Sequence, residues 1–302
     1  MPFFTVIIPA YNREDLISVA IESVLNQTFS DFELIIVDNA SVDKTVEKIR
    51  SFSDPRIILF QHEKNLERCA SRNTGIINSK GKYICFLDSD DYFLNNHLEV
   101  LYNEILNKKE QKALFFTSTL TSTDDKIFKE EMPVLSENPI SFFLLLSIIP
   151  SRVCVHHEAL QKYKFRDDVL IVEDSVLWME IANEYPVYQI NEYTVVYLLH
   201  PENSVNIKYN VFKKRLAGLR LFLKNRAIKN KVPSIILRES YSNCYLGMYK
   251  HYHYRNNRWM MFWIILKSLI LYPDVNFKRK LFLVYKVFDF KTKLPDSYSV
   301  DF

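Results

Sequence analysis

The chain has 302 residues, 48% hydrophobic and 25% charged, which suits one large α/β domain or a domain with a substantial appendage. It holds only 4 glycines, which argues against glycine-loop nucleotide folds. The net charge of +3 conceals an asymmetry: residues 1–204 carry 19 Lys+Arg against 31 Asp+Glu, and residues 205–302 carry 20 against 5. A basic C-terminal third on an acidic body suggests an anionic partner for that third. Met1-Pro2-Phe3-Phe4 runs straight into a strand-like segment, without a basic stretch and an apolar leader. Cys69, Cys85, Cys154 and Cys244 are far apart and form no CxxC pair, so zinc or a disulfide framework is not expected and a cytoplasmic setting is.

In chain order, residues 4–9 read as a short strand. Residues 13–26 place Leu16, Ile17, Ala20, Ile21, Val24 and Leu25 at helical spacing, with Asn12 expected as the N-cap. Residues 33–38 form a second strand, and Ser41 is expected to cap a helix through Ile49. Strands follow at 56–60 and 83–87, separated by a helix at 67–78. The middle is less regular, with strands expected at 113–117, 152–156 and 193–199 and helices at 140–149 and 173–184. From about residue 208 the pattern turns to helices rich in Lys, Arg, Tyr and Trp. The early alternation implies a parallel sheet covered by helices, and such sheets bind ligands at the carboxyl ends of their strands.

Two acidic groups fall at such strand ends: Asp38, and Asp88-Ser89-Asp90-Asp91. Carboxylates one residue apart can bridge a divalent cation and a ribose, although the same residues are ordinary turn formers. Asp38 can accept the N–H of a pyrimidine base, or simply belong to a capping loop. Arg72 can reach a diphosphate with its fork of donors, or be a solvated helix residue. Glu173-Asp174 opens an amphipathic helix and can supply a general base, though acidic residues favour helix starts anyway. His200 ends an apolar strand and can join a metal site or be purely structural.

In order, these segments resemble the family 2 glycosyltransferases of bacterial surface polysaccharide synthesis. The resemblance runs from Thr5-Val6-Ile7-Ile8-Pro9-Ala10-Tyr11-Asn12 through Leu25-Asn26-Gln27-Thr28 and Ile36-Val37-Asp38-Asn39-Ala40-Ser41-Val42-Asp43. It continues through Asn65, Ser71-Arg72-Asn73-Thr74-Gly75, Phe86-Leu87-Asp88-Ser89-Asp90-Asp91, Glu173-Asp174 and His200. It implies a GT-A fold: a Rossmann-like α/β mixed sheet flanked by helices, over residues 1–206. Residues 1–118 would bind the nucleotide and 119–206 the acceptor, with a basic helical region over 207–302.

The resemblance also implies roles. Pro9, Tyr11, Asn12, Asp38, Asn39, Arg72, Asp88 and Ser89 would contact the nucleotide sugar. Asp90, His200 and Asp88 would hold Mn²⁺ or Mg²⁺, and Asp174, with Glu173 beside it, would be the catalytic base. The implied reaction is inverting transfer from a UDP-sugar to a hydroxyl of a capsule, O-antigen or lipooligosaccharide acceptor. The rival readings are nucleotidyl transfer on the same fold and a non-catalytic scaffold.

The sequence departs from the family pattern at several points. Asn39 replaces a common second Asp, Ala40 a usual Gly, and Leu66-Glu67-Arg68 stands where glycines often follow Asn65. Arg68 is therefore expected to offer a diphosphate or acceptor an extra cation. In the C-terminal third, the apolar run 259–271 is shorter than the roughly 20 residues that span a bilayer. Packing on the catalytic body, a homodimer, or a peripheral seat on the anionic inner face of the cytoplasmic membrane would each account for it. No nucleic-acid reader motif is present.

Overall fold

The computed structural model describes residues 1–123, 126–169, 171–200 and 210–288. In chain order the elements are β1 (Phe4–Ala10), α1 (Ile17–Leu25), β2 (Phe32–Asp38), α2 (Thr45–Arg50), β3 (Ile57–Gln61), α3 (Glu67–Asn78) and β4 (Tyr83–Phe86). Next come β5 (Tyr92–Phe93), α4 (His97–Asn107), β6 (Leu114–Thr123), β7 (Lys126–Lys129), α5 (Pro139–Leu145), β8 (Val153–His156), α6 (His157–Lys162) and α7 (Glu173–Ala182). The chain ends through β9 (Val187–Leu198), α8 (Val211–Phe222), α9 (Arg226–Lys229), α10 (Ser234–Tyr254), α11 (Arg258–Leu271) and α12 (Phe277–Phe288). By internal contacts it divides into two units, residues 1–203 with 218–232, and residues 204–217 with 233–302.

The first unit is built on a nine-stranded mixed sheet in the order β3-β2-β1-β4-β8-β6-β9-β5, with β7 paired to β6. β1 to β4 are mutually parallel; β8 runs antiparallel to β4 and to β6. Strand alternation divides the core. Phe4, Val6, Ile8, Leu34, Ile36, Tyr83 and Cys85 pack with Ile17, Ile21 and Val24 of α1 and Leu98, Leu101 and Ile105 of α4. The intervening residues serve the other face, where the Phe86 ring lies 5.3 Å from Phe165 and 6.2 Å from Trp178 of α7. α3 also lies on that face: a Cβ on Gly75 would meet the Ile7 side chain at 2.5 Å, so the missing side chain sets how closely helix and strand approach.

β4 and β5 stand four places apart in the sheet yet are joined by only Leu87 to Asp91. A flat sheet would need about 19 Å for four strand spacings, close to the full reach of that connection. The connection also turns, since Asp91 N donates to Asp88 O at 3.0 Å. The sheet therefore curls, and the Asp88–Asp91 turn ties its centre to its far edge. β9 reaches that edge as a 12-residue strand with irregular register against β6 between Phe116 and Thr119.

Most expected elements are present. The expected first helix begins later, at Ile17, with Leu16 at its N-cap. The expected strand at 113–117 extends to Thr123, and the helix expected over 140–149 stops at Leu145.

The second unit is helical. Leu246 and Tyr249 of α10, Met261 and Ile265 of α11 and Val287 of α12 form its core. Lys280 is fully buried and donates to Ser268 O (3.3 Å) and Tyr272 O (2.7 Å), satisfying carbonyls at the end of α11. That burial pulls its ammonium down to a pKa of about 8.

The turn into β4 offers a direct check on the packing. A Cβ on Gly81 would lie 2.4 Å from Thr5 N and 2.6 Å from Phe4 C, both backbone atoms that cannot rotate away. Gly81→Ala should cost about 3 kcal/mol, the upper end of typical overpacking, in urea denaturation; a loss below roughly 0.5 kcal/mol, the range of neutral surface changes, would contradict the close approach.

Candidate active site

The site begins where β1 and β2 end side by side, with Ala10 opposite Asp38. The loops that follow are laced together. Asn12 N donates to Ser41 Oγ (2.9 Å), Val42 N to Asn12 Oδ1 (2.9 Å), and Arg13 N to Thr45 Oγ1 (2.7 Å). Neither Asn12 nor Ser41 caps a helix as expected. Asn12 adopts a left-handed conformation (φ 50°), which its short polar side chain tolerates while bonding the neighbouring loop. Asp43 Oδ1 instead accepts from Thr45 N at the start of α2. Ala40, in place of the family's glycine, is also left-handed (φ 64°).

Asp38 is 1% exposed; Ser41 N donates to its Oδ2 at 3.3 Å, and its buried Oδ1 has no hydrogen-bond partner. Pro9 lies in β1, and Tyr11 projects from the following loop, 42% exposed. Asn39 is internally engaged. Its Nδ2 donates to Asn65 Oδ1, and its Oδ1 lies 2.9 Å from both His62 Nδ1 and Leu66 N. Asn39 therefore braces the loop that enters α3.

The acidic turn after β4 separates its carboxylates by role. Asp91 is buried: Ser151 donates to its Oδ2 at 2.7 Å and Leu198 N to its Oδ1 at 3.3 Å. Burial, with Asp88 and Asp90 nearby, raises the Asp91 pKa well above its ordinary value. Ser89 is also buried. Asp90 is part-exposed, with His200 Nε2 3.0 Å and Arg13 Nη2 3.5 Å from its Oδ2. Asp88 turns the other way, to Arg72.

The expected ligand set is thus divided, with Asp90 beside His200 and Asp88 paired to an arginine. Among the described residues no group of three or more His, Cys, Asp or Glu side chains forms a metal cage. A carboxylate and an imidazole this close fit a cation that takes its remaining ligands from a diphosphate and water.

Arg72 is 3% exposed and central. Its Nη2 donates to Asp88 Oδ1 at 2.6 Å and its Nη1 to Asp174 Oδ1 at 3.2 Å, while Glu173 Oε1 lies 3.9 Å from Nη1. The guanidinium sits 5.0 Å from the Phe165 ring centroid. Asn73 holds Phe165 in place through both its backbone N and O. The carboxylates push the Arg72 pKa above its usual value despite its burial. Burial first, and then the Glu173 charge, raise Asp174 to a pKa of about 7, against the opposing pull of Arg72 and Arg68.

Two residues were not legible as site residues, and a third has a partner other than the one expected. Ser151 is a lone serine far along the chain, and Arg13 carries no motif signal beyond following Asn12. Arg68, expected to face a diphosphate or acceptor, instead places its Nε 2.5 Å from Glu173 Oε1.

The glycosyl transferase family 2 model matches residues 5–148. An uncharacterised glycosyltransferase of Methanocaldococcus jannaschii is 32% identical over 71% of this chain and 76% of its own length. The Escherichia coli UDP-Glc:α-D-GlcNAc-diphosphoundecaprenol β-1,3-glucosyltransferase WfaP is 31% identical over 61% of this chain and 72% of its own length. Several other relatives are matched over less than half of their own length. Among solved structures, Staphylococcus aureus TarS (1–349) with UDP-GlcNAc aligns at a TM-score of 0.63 and 17% identity, over 93% of this chain and 86% of that one. The mannosyltransferase PcManGT of Pyrobaculum calidifontis, in complex with GDP-Man and Mn²⁺, aligns at 0.61 and 17% identity, over 89% and 75%. The chain belongs to glycosyltransferase family 2, and its fold is the expected GT-A type.

Ser151 fixes the acidic turn from below, because its Oγ also accepts from Asp88 N at 3.0 Å. Ser151→Ala would leave the buried Asp91 carboxylate short of a donor and should destabilise the fold by about 1–3 kcal/mol in urea denaturation. An unchanged midpoint would mean that Ser151 does not hold the turn.

Proposed function

We propose that the chain is an inverting glycosyltransferase. It moves a sugar from a UDP-sugar to a hydroxyl of a lipid-linked glycan in bacterial surface polysaccharide synthesis. The observation that carries this reading is the Arg72 cluster, in which one buried guanidinium joins Asp88, on the donor side, to Asp174, the candidate base. The unpartnered Asp38 Oδ1 suits the imide N–H of uracil, and Arg13 suits the diphosphate. The acceptor class draws on WfaP, whose name specifies a diphosphoundecaprenol-linked sugar.

Asp174 takes the proton of the acceptor hydroxyl as that oxygen bonds to the anomeric carbon. The bond from that carbon to the diphosphate breaks on the opposite face, and the electron pair leaves with the diphosphate. Arg72 orients Asp174, with Glu173 beside it, and Asp38, Tyr11 and Pro9 hold the nucleotide base. Asp90 and His200 would hold a divalent cation, Mn²⁺ or Mg²⁺, which when bound supplies positive charge to the leaving diphosphate.

The second unit supports a peripheral membrane setting. No helix among the described residues is long and apolar enough to cross a membrane. Trp259, Trp263 and Ile270 nevertheless form an exposed stripe on α11, and α12 exposes Leu281, Phe282 and Tyr285 beside Lys278, Arg279 and Lys286. Aromatic residues interleaved with cations suit an anionic lipid surface near a lipid-linked acceptor.

Three measurements test these assignments. Calorimetry with UDP should show binding strengthened by Mn²⁺ in the wild type and not in Asp90→Ala; no binding of any nucleotide would favour a scaffold. Asp174→Asn should keep UDP affinity and lower transfer by roughly 10²–10⁴. In the wild type, transfer should rise with pH through about 7 as Asp174 ionises; a flat profile across that range would assign the base elsewhere. Vesicles with anionic lipid should co-sediment the protein at low salt and release it at high salt, and Trp259→Ala with Trp263→Ala should weaken binding. Equal binding to neutral vesicles would remove the basic surface from the account.

A further inference from the structure

We propose that Arg68 is a positioning residue for catalysis: by pairing with Glu173 it leaves Arg72 to Asp174 and so keeps Asp174 available as the base. The inference rests on the reading of Asp174 as that base. α3 presents Arg68 and Arg72 four residues apart, on one helix face. α7 opens with Glu173 and Asp174 in consecutive positions.

Glu173 is 1% exposed, and a carboxylate so buried is costly without a counter-charge. Its near cation is Arg68, at 2.5 Å; Arg72 is 3.9 Å away and committed at shorter range to Asp88 and Asp174. Without Arg68, two adjacent carboxylates would compete for one guanidinium that Asp88 already shares. The favourable response is uptake of a proton by the pair, which removes the base. The chain enters α3 through Glu67 in the left-handed region (φ 66°), a strained start for a non-glycine residue, directly before the side chain that makes the pair.

The charges that face Asp174 are few. Arg68 and Arg72 come from α3, Glu173 from α7 itself, and Asp88 from the turn after β4. The Cys69 thiol nearby is pushed up to about 12, chiefly by burial, and stays un-ionised. α5 and the described residues of β6, which also pack on α7, carry no charged side chain. Asp168, in the turn at Asp167–Val169, is paired to Arg166. Arg68 is 33% exposed in its side chain, so its removal leaves the core packing intact.

The test follows Asp174 directly, with no substrate required. Carboxyl ¹³C NMR of aspartate-labelled full-length chain, with Asp174 assigned through Asp174→Asn, should give a midpoint near 7 in the wild type. In Arg68→Gln the midpoint should rise by about one pH unit or more, the usual effect of losing a nearby opposite charge, and Arg68→Lys should restore most of it. In transfer assays the acidic limb of kcat/KM should shift upward by the same interval, with donor KM unchanged and the rate recovered at high pH. An unmoved midpoint in Arg68→Gln, or a rate loss equal at every pH, would overturn the proposal. Full transfer activity in Asp174→Asn would instead overturn the assignment of the base, which the NMR midpoints do not depend on.

Discussion

The guanidinium of Arg72 is nearly sealed from water, and three acidic groups gather around it. A buried cation is costly unless it is paired with opposite charge, and buried carboxylates have the same requirement in reverse. Each element of the site therefore depends on the others. α3 delivers the cation, the turn after β4 delivers Asp88, and α7 delivers Glu173 and Asp174. Phe165 closes the remaining side, held there by Asn73 one residue along α3. The local motif around Arg72 thus docks α3, α7 and the turn after β4 on one another.

The curl of the sheet brings these parts into reach. The short connection from β4 to β5 forces the sheet round, and Asp91 locks it by taking hydrogen bonds from Ser151 and from the end of β9. Asp91 is consumed by architecture, which leaves Asp88 to Arg72 and Asp90 to His200 and Arg13 on either side of the turn. His200 lies two residues past the end of β9, so the same closure that buries Asp91 carries the imidazole to Asp90. Ala40 and Glu67 both hold left-handed backbone beside this site, at points where the family often has glycine. Local strain of this kind persists where surrounding contacts over-determine it, and here the laced loops and the Asn39–Asn65 brace supply those contacts.

Two chemistries are divided between the two units of the chain. The acidic first unit gathers carboxylates at strand ends, where Asp38 closes β2 and Asp88 and Asp90 follow β4. The basic second unit uses Lys280 internally, on the last turn of α11, and exposes Lys278, Arg279 and Lys286 with Trp, Phe and Tyr side chains. The same residue type therefore serves as a buried cap in one place and as surface charge in another.

Strand and helix order, the carboxylates at the ends of β2 and β4, and the basic C-terminal third were legible in the sequence. They follow from local periodicity and from the topology of parallel sheets, which places such residues together without any contact being known. The direction of each side chain was not legible. Asn12 reads as a cap but bonds a neighbouring loop, Arg68 reads as a diphosphate cation but faces Glu173, and Ser151 carries no signal at all. These outcomes depend on which unsatisfied donors and charges the fold brings within about 3–4 Å, where hydrogen bonds and ion pairs become strong. Sequence determined which chemical groups reach the strand ends; tertiary structure decided which of them pair, because pairing is set by distances between segments as remote as Arg72 and Asp174.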